Sequence, residues 1–141
     1  MDYLRHKFES AILEKYFPKR YKFQNLNTPE EFLDVGLKVQ SGNVYRICIK
    51  LKPDYPNSLP KAFVVYPQPL TDYNGNLLNG GSHGMHTGNT DNNRVQICHF
   101  KKDNWHPNQS LYKVIMKCRI WLEAYEAHLQ TGKQIDFFLA S

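Results

Sequence analysis

Residues 32–51 read FLDVGLKVQSGNVYRICIKL, which is two stretches of alternating apolar and polar residues joined by the tripeptide Ser-Gly-Asn. Alternation with a period of two is typical of β-strands that bury one face. Small polar residues such as those at 41–43 favour tight turns. This part of the chain therefore predicts a β-hairpin, with strands at 31–40 and 44–51.

Two shorter segments extend the hairpin in both directions. Residues 62–66, AFVVY, have the composition of a further strand, and residues 21–24, YKFQ, are a weaker candidate before the hairpin. Strands that follow one another closely usually pair with their neighbours. We therefore predict an antiparallel meander of three or four strands.

Helices are predicted on either side of this meander. Residues 3–17 carry apolar side chains every three or four positions, as an amphipathic helix does, and a proline follows. A longer apolar stripe covers residues 111–129, with Trp121 at its edge. Ser110 and Asn108 both fit as its N-cap, and Gly132 is a suitable stop.

Residues 67–94 lose the apolar period and are rich in Asn, Gly, Asp, Ser and Thr. Such a long irregular segment inside a compact domain is unusual unless it has a function. A brief ordered run, 95–98, follows it, and the apolar tail at 135–139 is expected to pack back on the body. The predicted class is α+β, with an N-terminal helix, about four antiparallel strands, a long loop and a long central helix.

The length and composition limit the classes of protein to which the chain can belong. A length of 141 residues suits a single domain, 1–141, and contents of 41% hydrophobic and 13% aromatic residues exclude a disordered or fibrous chain. No apolar run approaches roughly 18 residues, so we expect neither a signal peptide nor a membrane span, and a cytoplasmic location. The net charge of +5 favours acidic partners without identifying them.

Three cysteines, Cys48, Cys98 and Cys118, are too few and too far apart for a disulfide framework. The periodicity places Cys48 and Cys118 in the core, where thiols are usually inert. Cys98 instead ends an apolar run and is followed by a polar, net basic segment, 99–104. Nearby cations would raise its thiolate fraction. Cys98 is therefore either a nucleophile or an ordinary thiol at the edge of a loop.

Two other kinds of site are weaker candidates. His83 and His86, with Cys98, His99 and His106, supply zinc-type ligands, but they lack the paired spacing of known zinc motifs. The basic residues are spread along the chain without a recognition-helix or aromatic nucleic-acid motif, so we expect no nucleic-acid partner. We assign no metal and no cofactor from the sequence.

The order of motifs matters more than any one of them. The segment Asp-Tyr-Pro-Asn-Ser-Leu-Pro at 54–60 precedes the strand 62–66, and Ile97-Cys98 then follows the long loop. Trp105-His106-Pro107 leads into the long helix. In type, order and spacing these parts resemble the ubiquitin-conjugating (E2) fold over residues 1 to about 130. The resemblance implies that residues 67–94 form an active-site loop.

The resemblance also implies an activity. Cys98 falls where the family has its nucleophile, so it would accept the C-terminal acyl group of a ubiquitin-like modifier from an activating (E1) enzyme and pass it to an amine. Trp105 and Pro107 would belong to a partner-binding surface. Arg5 and Lys15, on the basic first helix, would help to dock the activating enzyme, although a merely solvated helix face has the same composition.

The chain departs from the eukaryotic pattern near the cysteine. Eukaryotic members have a His-Pro-Asn triplet there, and the nearest counterpart is His86-Thr87-Gly88 followed by Asn89. His86 is thus a candidate organiser of the loop or an ordinary loop histidine. The oxyanion donor is left open among Asn89, Asn104 and a backbone N–H. Asp103 or His99 would orient the incoming amine, unless they are only solvated surface residues.

The missing triplet, the Asn- and Gly-rich loop and the short C-terminal part look more like bacterial E2-like proteins of anti-phage defence (CBASS) operons. There the resemblance implies that the protein helps to attach the C-terminus of a cGAS-like nucleotidyltransferase to a target. The alternative is a non-catalytic binding module, because E2 variants and RWD domains share the fold without the chemistry. The oligomeric state is left open.

Overall fold

The computed structural model describes residues 1–139 and has the predicted α+β class. Its helices and strands, in chain order, are α1 (Tyr3–Tyr16), β1 (Tyr21–Gln24), β2 (Phe32–Lys38), β3 (Val44–Lys50), β4 (Lys61–Tyr66), β5 (Val95–Ile97), α2 (Leu111–Thr131) and α3 (Ile135–Leu139). A single 3₁₀ turn at Lys102–Asn104 precedes α2. Within residues 1–139, no helix is both long enough and apolar enough to span a bilayer.

All five strands form one antiparallel sheet in the order β1-β2-β3-β4-β5. The sequence predicted only three or four strands. The additional strand, β5, is three residues long and pairs with β4 through Ala62 and Ile97. A run this short shows no period of its own, so only its pairing with β4 identifies it as a strand.

One face of the sheet and α2 enclose the core. Aligned positions on β2 to β5 form a continuous apolar row across this inner face: Leu33, Ile49, Ala62 and Ile97. All four side chains are fully buried, and they share one core with the apolar stripe of α2. Burial of this apolar surface is the main favourable contribution to folding.

Local signals set the ends of α2. The Ser110 side chain accepts the N–H of Lys113, so Ser110 and not Asn108 is the N-cap. The helix ends at Gly132, whose φ of 77° is a left-handed conformation that glycine adopts readily. Trp121, predicted at the edge of the stripe, is completely buried. The tail 135–139 docks on the body as predicted, with Ile135 buried in the core.

The apolar positions predicted on α1 are buried only in part, at Leu13. The periodic apolar residues Leu4 and Phe8 are 76% and 53% exposed, and Tyr16 is also exposed. The buried residues are Glu9 and Leu13. Apolar periodicity succeeded only in part here because a hydrogen-bonded carboxylate, which no hydrophobicity pattern reveals, occupies the buried side of the helix.

Cys48 is buried, as predicted, but it does not belong to the main core. It lies on the outer face of the sheet, the face opposite α2 that carries the row Asp34, Cys48, Phe63 and Gln96. Successive side chains of a strand point to opposite faces of the sheet. Because Ile47 and Ile49 point to the core, Cys48 between them points to the outer face. Cys118 is in the core as predicted, and burial raises its thiol pKa to about 12.

Candidate functional site

Cys98 directly follows β5 and is the exposed thiol among the three cysteines. The loop passes beside it, because Thr87 bridges Ile97 in an antiparallel arrangement. The backbone N–H of Cys98 donates a 2.9 Å hydrogen bond to the carbonyl of His86. The edge of the sheet and the long loop therefore fix the backbone of Cys98 and leave its side chain at the surface.

The surroundings of the Cys98 thiol differ from those expected. Although the side chain is exposed, partial desolvation of the sulfur raises its pKa, and no charged group contributes to the shift. The cations expected from the sequence, Lys101 and Lys102, do not lower it. At neutral pH the sulfur is therefore mainly a thiol. A nucleophile in this environment needs either a strongly activated electrophile or a base from a partner.

This electrostatic environment predicts slow alkylation. In the native protein, reaction of Cys98 with iodoacetamide should show an apparent pKa above that of a free cysteine peptide measured in parallel. Cys48 and Cys118 should stay unmodified, because both are buried and burial raises both pKa values. Mass spectrometry after alkylation over a pH series measures both effects. An apparent pKa below that of the peptide would contradict the assignment.

His86 joins the loop to the C-terminal part of the fold. Its Nε2 lies 2.6 Å from Oδ1 of Asp136 on α3, and the N–H of Asp136 donates to the carbonyl of Gly84 at 2.8 Å. The φ of His86 is +52°, a conformation that few non-glycine residues adopt. Beside it, Nε1 of Trp121 donates to the carbonyl of Met85 at 3.0 Å. These contacts hold the loop at the point where it binds Cys98.

The His86–Asp136 contact predicts a pH dependence. The hydrogen bond with His86 lowers the pKa of Asp136, so the contact stabilises the structure above the ordinary aspartate pKa and is lost as the pH falls through the folded value. We expect Asp136→Asn at neutral pH to reduce hydrogen-exchange protection of residues 82–88 to the level that the wild type shows only in acid. Asp103→Asn, an exposed control, should leave it unchanged. Equal protection in the Asp136→Asn variant and the wild type would refute this role.

The other predicted site residues lie in different places. His86 lies opposite Cys98 in the antiparallel pairing of the loop with β5. Asn89 is three residues further along the loop, which places it about 10 Å from the thiol along the strand direction. Asn89 instead lines a hollow on the outer face. Asp103 and Asn104 are exposed in the 3₁₀ turn that follows the cysteine. Of the oxyanion candidates, Asn104 and backbone N–H groups are thus the ones near Cys98 in the chain.

His99 is half-buried and not a solvated surface residue. Its Nδ1 lies 3.2 Å from the carbonyl of Ile97, and the backbone of Pro60 also contributes a hydrogen bond to the ring. Burial lowers the pKa of His99, so the ring stays neutral at pH 7. A neutral imidazole supplies no charge to stabilise a thiolate.

Trp105 and Arg5, predicted to bind partners, make contacts inside the fold. Trp105 is buried, and its Nε1 donates to the carbonyl of Pro56 at 2.8 Å. The Arg5 guanidinium donates to the carbonyl of Pro107 at 2.9 Å. The ring of Pro107 and the side chain of Lys15 are exposed. Arg5 and Trp105 therefore brace the segment between Cys98 and α2.

Sequence reasoning missed Glu9, which connects these parts. Its carboxylate is fully buried and accepts the N–H of Leu111 at 3.1 Å, the phenol of Tyr55, and Nε of Arg5 at 3.3 Å. Glu9 thereby links α1, the 54–60 turn and the first residue of α2. The sequence signal was a single glutamate four residues before Leu13, which is not diagnostic of burial.

The described residues do not form the zinc site considered as an alternative. Within 1–139, no group of three or more His, Cys, Asp or Glu side chains is close enough to hold a metal ion. His83 and His86 stack, with ring centroids 6.0 Å apart, and His86 is bound to Asp136. The candidate site is therefore centred on Cys98, whose thiol is exposed and whose backbone is anchored to the neighbouring loop.

Comparison of the chain with protein-family models, with curated proteins and with solved structures finds no match.

Proposed function

We propose that this protein is an E2-like acyl transferase, with the UBC-type fold, that carries the C-terminus of a ubiquitin-like modifier as a thioester on Cys98. The observation that carries the proposal is the single exposed thiol, at the end of β5, hydrogen-bonded through its backbone to an ordered loop. The order of the Tyr-Pro turn, the cysteine and the Trp-His-Pro segment along the chain supports it, and Trp105 donates to the carbonyl of Pro56 in that turn.

The chemistry suits a thiol that no base activates. In the first step the sulfur of Cys98 attacks an acyl carbon already activated by an E1-like enzyme, the thiol proton passes to a base or to water, and the leaving group departs with its bonding electrons. In the second step an amine attacks the thioester and the sulfur leaves as a thiolate. A thioester carrier therefore needs no hydrolytic base of its own.

The test is adduct formation. The protein, incubated with an E1-like enzyme and modifier from its own genomic neighbourhood and ATP, should form an adduct that excess thiol removes. Cys98→Ala should form no adduct, and Cys98→Ser should form at most a thiol-resistant ester. Cys48→Ala is the matched control and should react normally. A thiol-sensitive adduct in Cys98→Ala would disprove the proposal.

The raised pKa of Cys98 and the absent His-Pro-Asn triplet favour a second candidate, a non-catalytic UBC-like binding module of the E2-variant or RWD type. On this alternative, a folded Cys98→Ala variant keeps partner binding and cellular function. Loss of function in that variant, with an unchanged melting temperature, supports the transferase instead.

The proposed setting is bacterial anti-phage defence of the CBASS type, in the cytoplasm. There the carried acyl group would belong to a ubiquitin-like modifier or to a cGAS-like nucleotidyltransferase. The support is the loop composition and the motif order described above, with no cofactor required. Phage challenge of cells that carry the operon with wild-type or Cys98→Ala protein tests this setting, and equal protection by both would count against it.

Helix α1 is the proposed docking surface for the E1-like enzyme. It exposes Leu4 and Phe8 beside basic residues, and such an apolar patch with charged margins is typical of interaction sites. Lys15 is exposed, so its charge is available to steer association. Arg5 is a poor choice for charge reversal because it binds Glu9.

Charge reversal of Lys15 should therefore slow association. We expect Lys15→Glu to reduce the association rate with the E1-like enzyme several-fold at low salt, with the difference vanishing at high salt because ions screen it. Lys133→Glu, an exposed reversal at the far end of α2, is the control. Stopped-flow measurement of both variants decides the matter, and equal rates at low salt would remove α1 from the docking surface.

A further inference from the structure

The fold collects basic residues that are scattered along the sequence. Two adjoining hollows on the outer face of the sheet have nine basic and four acidic lining residues, a net formal charge of +5 that equals the net charge of the whole chain. The basic residues are Lys19, Arg20, Lys22, Lys38, Arg46, Lys50, Lys52, Lys61 and Arg94. The basic residues are spread along the sequence, which argued against a nucleic-acid partner, but folding brings these nine together on one face.

The two hollows adjoin each other on the sheet, and together they are called the trough. The larger has a volume of about 980 Å³ and lies between the segments 25–31 and 89–94. The smaller, of about 590 Å³, lies beside residues 19–22. Both are lined by Asp34 and Arg46, so they join at that pair. The trough crosses the sheet on the side opposite α2.

Most of the positive charge in the trough is not neutralised. Lys50 pairs with Asp91, and Arg46 pairs with Asp34. The other seven basic side chains have no carboxylate within ion-pair distance among residues 1–139. A local excess of positive charge attracts a polyanion and releases the polyanion's counter-ions when it binds.

Aromatic side chains lie among these cations. Phe63 forms part of the floor, with the Lys50 ammonium 5.0 Å from its ring centre. Phe32, which lies opposite Lys50 in the sheet register, is half-buried, and Tyr66, at the margin, is 60% exposed. A cationic groove that offers aromatic rings is the arrangement that holds single-stranded nucleic acid, because the phosphates contact the cations and unpaired bases stack on the rings.

We infer that the outer face binds single-stranded nucleic acid in this trough. An acidic protein segment is the competing occupant. Protein interfaces are depleted of lysine at their centres, whereas six of the nine basic residues here are lysines. Bases in a duplex are stacked on one another and are not free to stack on Phe32 or Tyr66. The site is distinct from Cys98 and does not depend on the proposed transferase activity.

The experiment measures fluorescence anisotropy of labelled oligo(dT) and oligo(rU) of about 20 nucleotides, with salt varied from about 50 to about 200 mM. The charge-reversal variant is Lys52→Glu/Lys61→Glu, at two exposed side chains without acidic partners. The matched control, Lys113→Glu/Lys133→Glu, makes the same change of net charge away from the trough. Circular dichroism melts check that all variants fold.

We expect the trough variant to bind at least about 10-fold more weakly than the wild type and to lower the salt slope by about 1.4, the loss of two phosphate contacts to a single strand. The control should change affinity less than about 2-fold. Tyr66→Ala should weaken binding about 5-fold through lost stacking, whereas Tyr3→Ala, also exposed, should not. Cys98→Ser should bind as the wild type does.

Four results would overturn the inference. They are no binding at low salt, equal weakening by the trough and control variants, preference for a duplex of the same length, and tighter, variant-sensitive binding of poly-glutamate. The last of these would assign the trough to an acidic protein.

Discussion

Glu9→Ala should lower the free energy of unfolding by about 3–5 kcal/mol, as removal of one partner from a buried charge network does. The change leaves the Leu111 N–H and the Tyr55 hydroxyl without their acceptor in a buried place. A buried donor without a partner costs about 1–3 kcal/mol. It also frees Arg5, whose other contacts hold the segment 107–109. Urea denaturation of the purified protein measures the loss.

Two control variants distinguish the effect of removing the buried carboxylate from the effect of changing the composition of α1. Glu9→Gln keeps one oxygen acceptor and should lose less than Glu9→Ala. Glu14→Ala, on the exposed side of α1 where Glu14 accepts only the Tyr21 hydroxyl, should cost less than about 1 kcal/mol. If Glu9→Ala were no more destabilising than Glu14→Ala, the network would not support the fold.

Trp121→Ala should have a comparable effect, about 3–5 kcal/mol, and should also disturb the site. Trp121 is 1% exposed, stacks on Tyr125 with ring centroids 5.4 Å apart, and donates to the Met85 carbonyl. Its loss opens a cavity and releases the loop next to His86. We therefore expect lower hydrogen-exchange protection of the Cys98 N–H, which His86 accepts.

Neighbouring substitutions provide the comparison for Trp121. Trp121→Phe keeps an aromatic ring against Tyr125 but loses the hydrogen bond and part of the ring volume, so it should cost about 1–3 kcal/mol, less than Trp121→Ala. Ile120→Ala, at an exposed position on the same helix, should leave both stability and Cys98 protection nearly unchanged. Unaltered exchange at Cys98 in a folded Trp121→Ala variant would show that the loop does not need this anchor.

The sheet and α2 were predictable because apolar surface decides them. In β2 and β3 the period of two matches the observed register, and in α2 Ser110 and Gly132 mark the ends. The buried side of helix α1 was predicted only in part because its burial depends on Glu9, a polar residue. Polar burial is decided by partners such as Tyr55 and Leu111, which are 46 and 102 residues away along the chain.

The site was predictable in part. Cys98 stood out because a strand-like run ends there in a polar segment, and the side chain is exposed as expected. The His86–Asp136 contact spans 50 residues, and no local pattern marks it. The pKa of Cys98 depends on desolvation of the sulfur, so counting nearby lysines in the sequence gave the wrong direction. The basic trough was hidden for a similar reason, because its residues come from five separate parts of the chain.

The most direct test of the central proposal is the location of the acyl group in the adduct. Trypsin, which cleaves after Lys and Arg, places Cys48, Cys98 and Cys118 in three different peptides, 47–50, 95–101 and 118–119. Tandem mass spectrometry of the adduct, digested under mildly acidic conditions that preserve thioesters, should find the C-terminal residues of the modifier on Cys98 in peptide 95–101. Thiol treatment should remove them. An acyl group on Cys48 or Cys118, or a thiol-resistant amide on a lysine with Cys98 unmodified, would contradict the proposal.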